Sequence, residues 1–478
     1  MPDLSAVFKA YDVRGRFPDQ LDETTAERIG AAFVDEVLDG STDPGVVVGH
    51  DMRQSSPPLA AAFIRGVCSR GVDVVAIGLA STDELYFASG RLGLPGAMFT
   101  ASHNPADDNG IKLCRAGALA LSAGTGLLAI RDRVASWDAD SPTAVAEPGT
   151  VEHRDLLQPY ADFLHDLVPV SGRRLKVVVD AANGMAGHTV PAVFANLGVE
   201  LVPMYFELDG TFPNHQANPL DPVNLRDLQR AVVAERADLG LAFDGDADRC
   251  FVVDEAGAVV PPSALTGLIA VRELAREPGA RVIHNLISSR AVPETIRRHG
   301  GTPVRTPVGH SLIKATMASS GAVFGGEHSG HYYFRDFWCA DSGMLAALHV
   351  LAALAAGELS VSELVAEFNP YAASGELNFR VPDPAGSLRL VEEVFATDDV
   401  DSVDHLDGLT VTGTDWWFNV RPSNTEPLLR VNVEAETEPT MVAVRDRVLS
   451  LLAGPHHRAA SSDAAGPAPA AWSERRPR

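Results

Sequence analysis

The sequence predicts a protein of three related α/β domains, each with a mixed sheet built on βαβ units, followed by one α+β domain. Two observations support this prediction. A strand-like apolar run, a turn, a helix-like stretch and a second strand-like run recur three times along the chain. After about residue 375 the pattern changes to short strand-like runs with two helix-like stretches. At 478 residues the chain is also too long for one ordinary core.

Each of the three repeats is typical of a βαβ unit. Their strand, helix and strand segments are Val46–Asp51, Leu59–Cys68 and Val72–Ile77; then Lys176–Asp180, Ala192–Leu197 and a strand from Val199; and then Arg281–His284, Ala291–Arg298 and Pro303–Pro307. We expect parallel strands joined by right-handed helical crossovers in each. The irregular spacing favours three related domains over a solenoid. Unrelated α/β domains that share only this motif remain the alternative.

The α+β domain is predicted from its mixture of elements. Strands are expected at Leu377–Val381, Leu409–Thr412, Trp416–Val420 and Leu428–Val433, and helices at Ser387–Phe395 and Met441–Leu452.

Polar, proline-rich and glycine-rich stretches predict the domain boundaries. Three linkers are expected, at Asp138–Thr143 continuing to Thr150, at Asp254–Gly257 and at Asn369–Gly375. From Pro455 onward, alanine, serine, proline and terminal arginines predict a disordered tail. The expected segments are 1–148, 149–256, 257–370 and 371–454 for the four domains and 455–478 for the tail.

The net charge limits the classes of partner. Lysine and arginine number 39 against 63 acids, which gives a net charge of −24. This charge argues against nucleic acid and anionic membranes as partners. A small anionic substrate is compatible with it, because the Debye length at physiological salt is about 8 Å and local arginines can dominate a site.

Apolar segments and cysteines indicate a cytoplasmic protein. The longest apolar stretch, Met344–Ala356, contains His349 and is too short to span a bilayer, so it predicts a buried helix. The N-terminal residues have no basic and apolar export pattern. No metal-ligand spacing relates the cysteines, which predicts reduced structural thiols at Cys68, Cys114, Cys250 and Cys339.

Two polar clusters predict a phosphoryl-transfer site. Thr100–Pro105 places Ser102 in a turn, and Asp244–Arg249 places aspartates at alternate positions. A phosphorylated serine carries about two negative charges near neutral pH, so transfer of its phosphoryl group requires a cation. Alternating aspartates around Gly245 can converge on one hard ion, for which oxygen ligands favour Mg²⁺.

Each cluster also has a simpler interpretation. Asp244, Asp246, Asp248 and Glu255 match positions of a helix-loop-helix calcium site, but Arg249 stands where that loop requires glycine, and strand-like runs flank the cluster. Ser102 alone is typical of a turn former or a cap. The pairing of serine with aspartates favours the functional interpretation.

Five motifs in one order resemble the α-D-phosphohexomutase family, and within it the bacterial phosphomannomutase/phosphoglucomutase group. They are Phe8–Gly15, the serine loop Thr100–Pro105 with Asn109–Lys112, the metal loop Asp244–Arg249, the sugar loop Gly326–His331 and the phosphate loop Arg421–Pro427. The resemblance extends from Phe8 to about Leu452. It implies four domains around a central cleft.

The resemblance also implies roles for individual residues. It makes Ser102 a phosphoserine that holds Mg²⁺ together with Asp244, Asp246 and Asp248. It favours Lys112 as proton carrier, which requires neighbours or burial to lower its pKa. The other implied catalytic residues are His103, Arg14, Tyr11, Arg249 and His331.

Substrate contacts follow from the same resemblance. Glu327 and Ser329 are expected to bind sugar hydroxyls. The remaining substrate residues are Gly309 and His310, with Arg421, Ser423, Asn424 and Thr425 for the nonreacting phosphate. Secondary candidates are Lys314 and Arg290. Ile287 stands where relatives often carry lysine, so either a substrate contact is missing here or Ser288, Ser289 or Arg290 substitutes for it, and the substrate preference of those relatives does not transfer directly.

The resemblance implies an intramolecular phosphotransferase, an isomerase that interconverts mannose 6-phosphate and mannose 1-phosphate through the phosphoserine and a hexose 1,6-bisphosphate activator. We expect hexose phosphates as partners and a monomer or a dimer. The alternatives are a phosphoglucomutase or dual-specificity mutase, a phosphoglucosamine mutase, a magnesium phosphatase and a catalytically silent sugar-phosphate sensor.

Overall fold

A computed structural model describes residues 3–38, 45–137, 145–396, 398, 400–423 and 428–453, without the side chains of residues 310 and 311. The chain divides into two compact units, residues 1–369 and 370–478. The division falls inside the 369–375 stretch whose composition predicts a linker. The predicted linker at 138–143 and the predicted tail lie outside the described residues.

The first sheet begins unit 1. Its elements are α1 (Leu4–Val7), β1 (Val13–Arg16), α2 (Glu23–Val37), β2 (Gly45–His50), α3 (Ser56–Cys68), β3 (Asp73–Leu79), α4 (Thr82–Leu92), β4 (Gly96–Phe99), β5 (Asp108–Arg115), β6 (Leu119–Ala120), a π-helical turn (Ala123–Leu127), α5 (Leu128–Ser136) and β7 (Val151–His153). The strand order is β1-β5-β4-β2-β3-β7, and β6 pairs with β5. β2 is parallel to β3 and β4, whereas β5 is antiparallel to β4 and β1, so the sheet is mixed as predicted.

The second sheet follows in unit 1. Its elements are α6 (Leu157–Leu167), β8 (Leu175–Asp180), α7 (Ala186–Val193), β9 (Val199–Met204), a 3₁₀ turn (Pro222–Leu225), α8 (Arg226–Glu235), β10 (Leu239–Phe243), β11 (Cys250–Val253) and β12 (Val259–Val260), in the strand order β12-β11-β10-β8-β9.

Two expectations for this sheet are wrong. α7 ends at Val193 rather than crossing Ala192–Leu197, because Asn196 and Gly198 take positive φ angles of 64° and 70° that an α-helix cannot contain. The expected linker at 254–257 is the turn between the antiparallel strands β11 and β12 of one sheet.

The third sheet completes unit 1. Its elements are α9 (Pro262–Arg276), β13 (Arg281–Asn285), α10 (Ala291–Arg298), β14 (Thr302–Thr306), α11 (His310–Ser320), β15 (Phe324–Gly326), β16 (Tyr332–Phe334), a 3₁₀ turn (Arg335–Phe337), β17 (Ala340–Asp341), α12 (Gly343–Ala355), α13 (Val361–Val365) and a 3₁₀ turn (Ala366–Phe368). The strand order is β14-β13-β15-β16-β17, with β13 parallel to β14 and β15. α12 is almost entirely buried, which confirms the buried helix predicted from the apolar stretch.

One core unites the three sheets of unit 1. It contains Leu85 from α4, Leu241 from β10 and Leu268 from α9, together with most of α12. Aromatic contacts reinforce it, since the ring of Phe87 lies 5.9 Å from Tyr160 and 6.3 Å from Trp338. The three α/β regions are therefore packed as one body.

The described residues of unit 2 form an antiparallel sheet with two helices. Its elements are β18 (Ala372–Phe379), α14 (Pro384–Phe395), β19 (Ser402–Asp404), β20 (Leu409–Thr412), β21 (Trp416–Pro422), β22 (Leu429–Ala435) and α15 (Glu438–Ala453), in the strand order β18-β22-β21-β20-β19. Its own core includes Val391, Phe395, Val420 and Val448. The α+β architecture predicted for this part of the chain is confirmed.

None of the helices in the described ranges is both long and apolar enough to cross a bilayer. The four cysteines are free thiols, and Cys114 and Cys250 are buried.

Candidate active site

Ser102 lies in the turn between β4 and β5 with a strained backbone. Its φ angle is 52°, in the left-handed region that residues other than glycine, asparagine and aspartate rarely adopt. Its amide donates to Thr100 Oγ1 at 2.9 Å. The metal loop packs directly on this turn, because a Cβ at Gly245 would lie 2.4 Å from the Ser102 carbonyl oxygen. Glycine at 245 therefore permits the close approach of the two predicted clusters.

The Ser102 hydroxyl faces the metal loop. Its Oγ donates to Asp244 Oδ2 at 2.7 Å, and Arg249 Nη2 donates to Oγ at 3.2 Å. His103 Nδ1 lies 3.2 Å from the same Oγ and accepts a hydrogen bond from Arg249. The side chain is buried, with 3% of its surface exposed. The serine and aspartate clusters that the sequence analysis paired are therefore in direct contact.

Asp244, Asp246 and Asp248 converge in the loop between β10 and β11. One oxygen from each lies within 4.8 Å of the others, and all three residues are buried. Within the described ranges, Asp246 Oδ1 and Asp248 Oδ1 have no hydrogen-bond partner. Buried carboxylate oxygens without donors are costly unless a cation binds them. This donor set fits a hard divalent ion.

The calcium-loop alternative is wrong for this cluster. Antiparallel strands β10 and β11 flank the loop where that site requires helices.

Lys112 on β5 neutralises part of this acidic cluster. Its Nζ lies 2.6 Å from Asp246 Oδ2 and 2.6 Å from Asp248 Oδ2. Burial alone would lower the pKa of Lys112, but the two aspartates raise it well above its ordinary value. The condition that a proton carrier requires, a lowered pKa, is therefore not met by these neighbours, because the two residues closest to the ammonium are acids.

The aspartates differ in their protonation. Burial raises the pKa of Asp244 to about 7, although Arg249 opposes this shift. Burial also acts to raise the pKa of Asp246, but the charge and hydrogen bond of Lys112 outweigh it and lower that pKa. One carboxyl of the cluster therefore titrates near neutral pH while another stays ionised.

Two histidines that lie around the same site as Ser102 have pKa values shifted in opposite directions. Burial and the charge of Arg249 lower the pKa of His103 well below its usual value, so its imidazole is neutral at pH 7. Burial would lower the pKa of His331 as well, but Asp248 and Asp341 raise it. His331 Nδ1 lies 2.9 Å from Asp341 Oδ2. The two carboxylates therefore favour the protonated form of the His331 imidazole.

These side chains surround one cavity of about 180 Å³. It brings together every residue that the resemblance implies as catalytic, namely Tyr11, Arg14, Ser102, His103, Lys112, Arg249 and His331. Arg14 is tied to the serine turn, since its Nη1 donates to Asn104 Oδ1 at 2.9 Å. A backbone bridge between Arg249 and His331 joins the metal loop to the sugar loop.

The sugar loop lies beside this cavity. Glu327 is buried and accepts from the Tyr333 hydroxyl at 2.7 Å and from the Gly309 amide at 3.4 Å. A Cβ at Gly309 would lie 3.2 Å from the hydroxyl of Tyr11, which lines the cavity. Ser329 is half-buried in the same loop, and the side chain of His310 lies outside the described residues.

The residues around Ile287 are engaged within their own fold. Ile287 is buried, Ser288 Oγ donates to Asn285 Oδ1 at 2.9 Å, and Arg290 Nε lies 3.3 Å from Glu294 Oε1. Ser289 Oγ accepts from the amide of Ala291 at 3.1 Å.

The predicted phosphate loop belongs to unit 2. Arg421 is buried and its Nη2 lies 2.8 Å from Glu376 Oε2. Arg430, which the sequence did not predict, donates to Ser423 Oγ at 3.4 Å and pairs with Glu376 Oε1 at 3.1 Å. Asn424 and Thr425 lie outside the described residues.

Four supporting residues of the cavity region were not predicted or were given no role. Thr82 Oγ1 donates to Asp246 Oδ2 at 2.5 Å, and Lys314 Nζ lies 2.6 Å from Asp341 Oδ1. Arg53 donates to the backbone of the serine turn. Thr82 and Arg53 lie far in sequence from the residues that they support, so local motifs do not point to them.

Comparisons with known proteins match all four parts of the fold. The four domain models of the phosphoglucomutase/phosphomannomutase family match in order, alpha/beta/alpha domain I at residues 5–140, domain II at 158–257, domain III at 262–371 and the C-terminal domain at 376–451. A phosphomannomutase from Salmonella typhimurium is 41% identical over 453 residues, which cover 93% of this chain and 98% of that protein.

Solved structures share the fold. A phosphoglucomutase/phosphomannomutase family protein from Burkholderia thailandensis superposes with a TM-score of 0.85 at 34% identity, covering 94% of this chain and 98% of that one. An N-acetylphosphoglucosamine mutase from Aspergillus fumigatus, in complex with GlcNAc-6P and magnesium, has a TM-score of 0.57 at 15% identity, covering 94% of this chain and 96% of its own. The latter likeness is one of fold alone.

Proposed function

The chain belongs to the phosphoglucomutase/phosphomannomutase family, and from this premise we propose that it is a phosphomannomutase. It interconverts mannose 6-phosphate and mannose 1-phosphate through a phosphoserine at Ser102 and a hexose 1,6-bisphosphate. The observation that carries the proposal is the contact of the Ser102 hydroxyl with Asp244 and Arg249, beside a cavity that Ser102 and Arg249 line. The likeness to a phosphomannomutase over nearly the whole chain supports the choice of sugar.

The donor set supports a resident Mg²⁺. Asp244, Asp246 and Asp248 would hold the ion together with the phosphate of Ser102. When bound, the ion neutralises charge on the phosphoryl group during transfer. The Lys112 ammonium contacts two of these carboxylates, so it supplies part of the positive charge that balances the acidic cluster.

Phosphoryl transfer requires one P–O bond to break as another forms. A hydroxyl oxygen of the sugar monophosphate attacks the phosphorus on Ser102, the bond from phosphorus to Oγ breaks, and the hydroxyl proton passes to a base. Arg249 Nη2, 3.2 Å from Oγ, stabilises the negative charge that develops on the leaving oxygen. His331 can take the proton, since Asp341 holds its imidazole in place at 2.9 Å.

The second half-reaction reverses these events at the other phosphate. The Ser102 oxygen attacks the second phosphate of the bisphosphate, the sugar oxygen leaves and regains a proton, and the isomeric monophosphate is released. The protein ends as it began, with Ser102 phosphorylated. A hexose 1,6-bisphosphate activator serves to phosphorylate Ser102 initially or after hydrolysis.

The sugar and its far phosphate require separate contacts. Glu327 and Ser329 are proposed to bind ring hydroxyls, and Gly309 and His310 to border the same region. In unit 2, Arg421 and Ser423 are proposed to bind the nonreacting phosphate with Asn424 and Thr425. An Arg421 guanidinium already paired with Glu376 is held in place before the phosphate arrives.

Phosphorus NMR with Mg²⁺ and catalytic hexose 1,6-bisphosphate tests the proposal. Mannose 1-phosphate should convert to mannose 6-phosphate without release of inorganic phosphate, and faster than glucose 1-phosphate or glucosamine 1-phosphate. Preferred conversion of glucose 1-phosphate would instead assign a phosphoglucomutase, release of phosphate a phosphatase, and binding without conversion a sensor.

Ser102→Ala is the first prediction for this activity. Removal of the hydroxyl that receives the phosphoryl group should lower kcat at least about 1,000-fold, because the covalent route is lost. The circular dichroism spectrum of the variant should equal that of the wild type, because the fold is retained. Normal turnover of this variant with the bisphosphate present would exclude the phosphoserine route.

A further inference from the structure

We propose that Arg53 is a positioning residue for phosphoryl transfer, whose guanidinium holds the turn that carries Ser102 in the conformation in which the hydroxyl faces Asp244 and Arg249. The inference rests on the proposed function, since it assigns the means by which that site keeps its nucleophile in place.

The guanidinium of Arg53 binds the serine turn through four backbone carbonyls. Nη2 donates to the carbonyl oxygens of Ser102 at 2.9 Å and Asn104 at 2.7 Å. Nη1 donates to those of Pro105 at 2.6 Å and Asp108 at 2.9 Å. The four acceptors span the whole turn from the serine to the start of β5. One planar group therefore fixes the path of the backbone from Ser102 to the start of β5.

The guanidinium is itself held rigidly. The Arg53 side chain is 1% exposed, and its Nε lies 3.3 Å from Asp51 Oδ2. Asp51 Oδ1 accepts from the Arg53 amide at 2.9 Å and from Ser56 Oγ at 2.5 Å. On the other side, the guanidinium carbon lies 5.1 Å from the centroid of the Phe212 ring. The donors are thus aimed before any substrate binds.

The turn requires an external restraint of this kind. A non-glycine residue at positive φ, as Ser102 is at 52°, is strained and persists only where the surroundings impose that conformation. Carbonyls that face inward around a tight turn also need donors. Arg53 supplies both, because a planar fork with several N–H groups matches carbonyls spread along the turn.

Lysine cannot replace this arrangement. A lysine at position 53 keeps the positive charge but places its donors on a single nitrogen, which cannot reach four carbonyls between Ser102 and Asp108 together. Arg53 contacts the Ser102 carbonyl rather than the hydroxyl, so its effect on the reaction passes through the turn.

The Arg53→Lys variant tests the inference. The quantity compared with the wild type is kcat per phosphorylated protein molecule. Phosphoserine is measured by intact-protein mass spectrometry after treatment with the bisphosphate, so that unfolded molecules do not count. The kcat for mannose 1-phosphate per phosphorylated molecule should fall about 100-fold, since displacement of the phosphoserine by about 1 Å suffices for that loss. KM should stay within about 2-fold, because the sugar contacts are unchanged.

Arg70→Lys is the matched control. Arg70 pairs with Asp35 and lies beyond the other end of the 13-residue helix α3, about 20 Å along its axis from Arg53. Its kcat per phosphoserine should equal that of the wild type. If Arg53→Lys does not fold, Asp51→Asn carries the test, because it keeps the guanidinium but removes the carboxylate that orients it; we expect about a 10-fold fall in kcat.

The outcomes separate the inference from the proposed function. An unchanged kcat per phosphoserine in Arg53→Lys, or in Asp51→Asn where that variant is used, would overturn the inference while wild-type turnover left the proposed function standing. A wild-type protein that forms no phosphoserine and converts no hexose phosphate would overturn both.

Discussion

At the scale of single residues, the ammonium of Lys112 stands in contact with the carboxylates that a divalent ion would bind. Its Nζ lies 2.6 Å from both Asp246 and Asp248. The lysine and a metal ion therefore stabilise the same buried negative charge. Removal of either one should make the protein depend more on the other.

Lys112→Met is predicted to transfer this stabilisation to the metal. Without divalent ions, the variant should lose about 3 to 5 kcal/mol of unfolding free energy, because buried carboxylates lose their partner. Addition of Mg²⁺ should raise the melting temperature of the variant more than that of the wild type, since an ion that binds only the folded state stabilises it. Differential scanning calorimetry in EDTA and in MgCl₂ measures both effects.

Lys176→Met is the control for this prediction. Lys176 pairs with Glu235 at 2.7 Å on the surface, away from the acidic cluster. Its response to Mg²⁺ should equal that of the wild type. An equal response of Lys112→Met as well would show that the lysine and the ion do not share these carboxylates.

The sequence identified site residues that stand together in one motif. It missed residues that contact the site from distant positions along the chain. Ser102, His103 and Lys112 stand in one motif, and Asp244 to Arg249 in another, so local patterns identified them. Arg53 reaches Ser102 across 49 positions and Thr82 reaches Asp246 across 164. Such contacts depend on the packing of turns that are distant along the chain, which no short pattern encodes. The direction of the Lys112 pKa shift is likewise absent from the local sequence, because it depends on which charges surround the ammonium.

At the scale of elements, helix boundaries were predictable where the chain marks them. α10 begins and ends at the predicted residues 291 and 298, after a serine pair and before a glycine pair. α7 was misplaced, because its start follows the turn Ala182–Gly184 rather than an apolar period. Positive φ angles at Ala182 and Asn183 shape that turn.

Helix α4 contains a buried acid that should make stability depend on pH. Glu84 is 1% exposed, and its Oε2 has no hydrogen-bond partner among the residues that the structure describes. Burial, reinforced by the charge of Asp83, raises the pKa of Glu84 to about 8. In the unfolded chain this carboxyl titrates near about 4.3. The folded protein therefore holds a proton that the unfolded chain has lost between these values.

Glu84→Gln should remove this dependence. A raised carboxyl pKa stabilises the folded state fully below the unfolded pKa, and the contribution is lost as pH rises toward 8. The variant should thus gain stability relative to the wild type from pH 5 to 8.5, by about 4 kcal/mol at the upper end, because about three pH units separate pH 5 from the folded pKa. Urea unfolding at several pH values measures the difference.

The exposed Glu358→Gln serves as the comparison, and its difference from the wild type should stay flat over the same range. A flat difference for Glu84→Gln too would contradict a raised pKa at this position.

At the scale of the whole molecule, one buried carboxylate joins the three α/β regions of unit 1. Asp83 Oδ2 accepts from the hydroxyls of Tyr160 at 2.7 Å and Ser342 at 2.6 Å, and Oδ1 accepts from Ser81. These partners come from the second, third and first regions of the chain. Thr82, next to Asp83, binds Asp246 of the metal loop. The junction and the candidate site therefore share one turn at the start of α4.

Asp83→Asn is predicted to weaken unit 1 and leave unit 2 unchanged. The amide offers one acceptor oxygen where the carboxylate offers two, so a buried hydroxyl loses its acceptor at a cost of about 2 to 4 kcal/mol. Hydrogen exchange with mass spectrometry should show faster exchange in peptides of α4, α6 and α12 and unchanged exchange in β20 to β22, because unit 2 has its own core.

Asp132→Asn, at an exposed site on α5, should leave both sets unchanged. Equal acceleration in both units would mean that unit 2 depends on this junction for its stability, and acceleration in neither would mean that the three hydroxyl contacts do not hold unit 1 together.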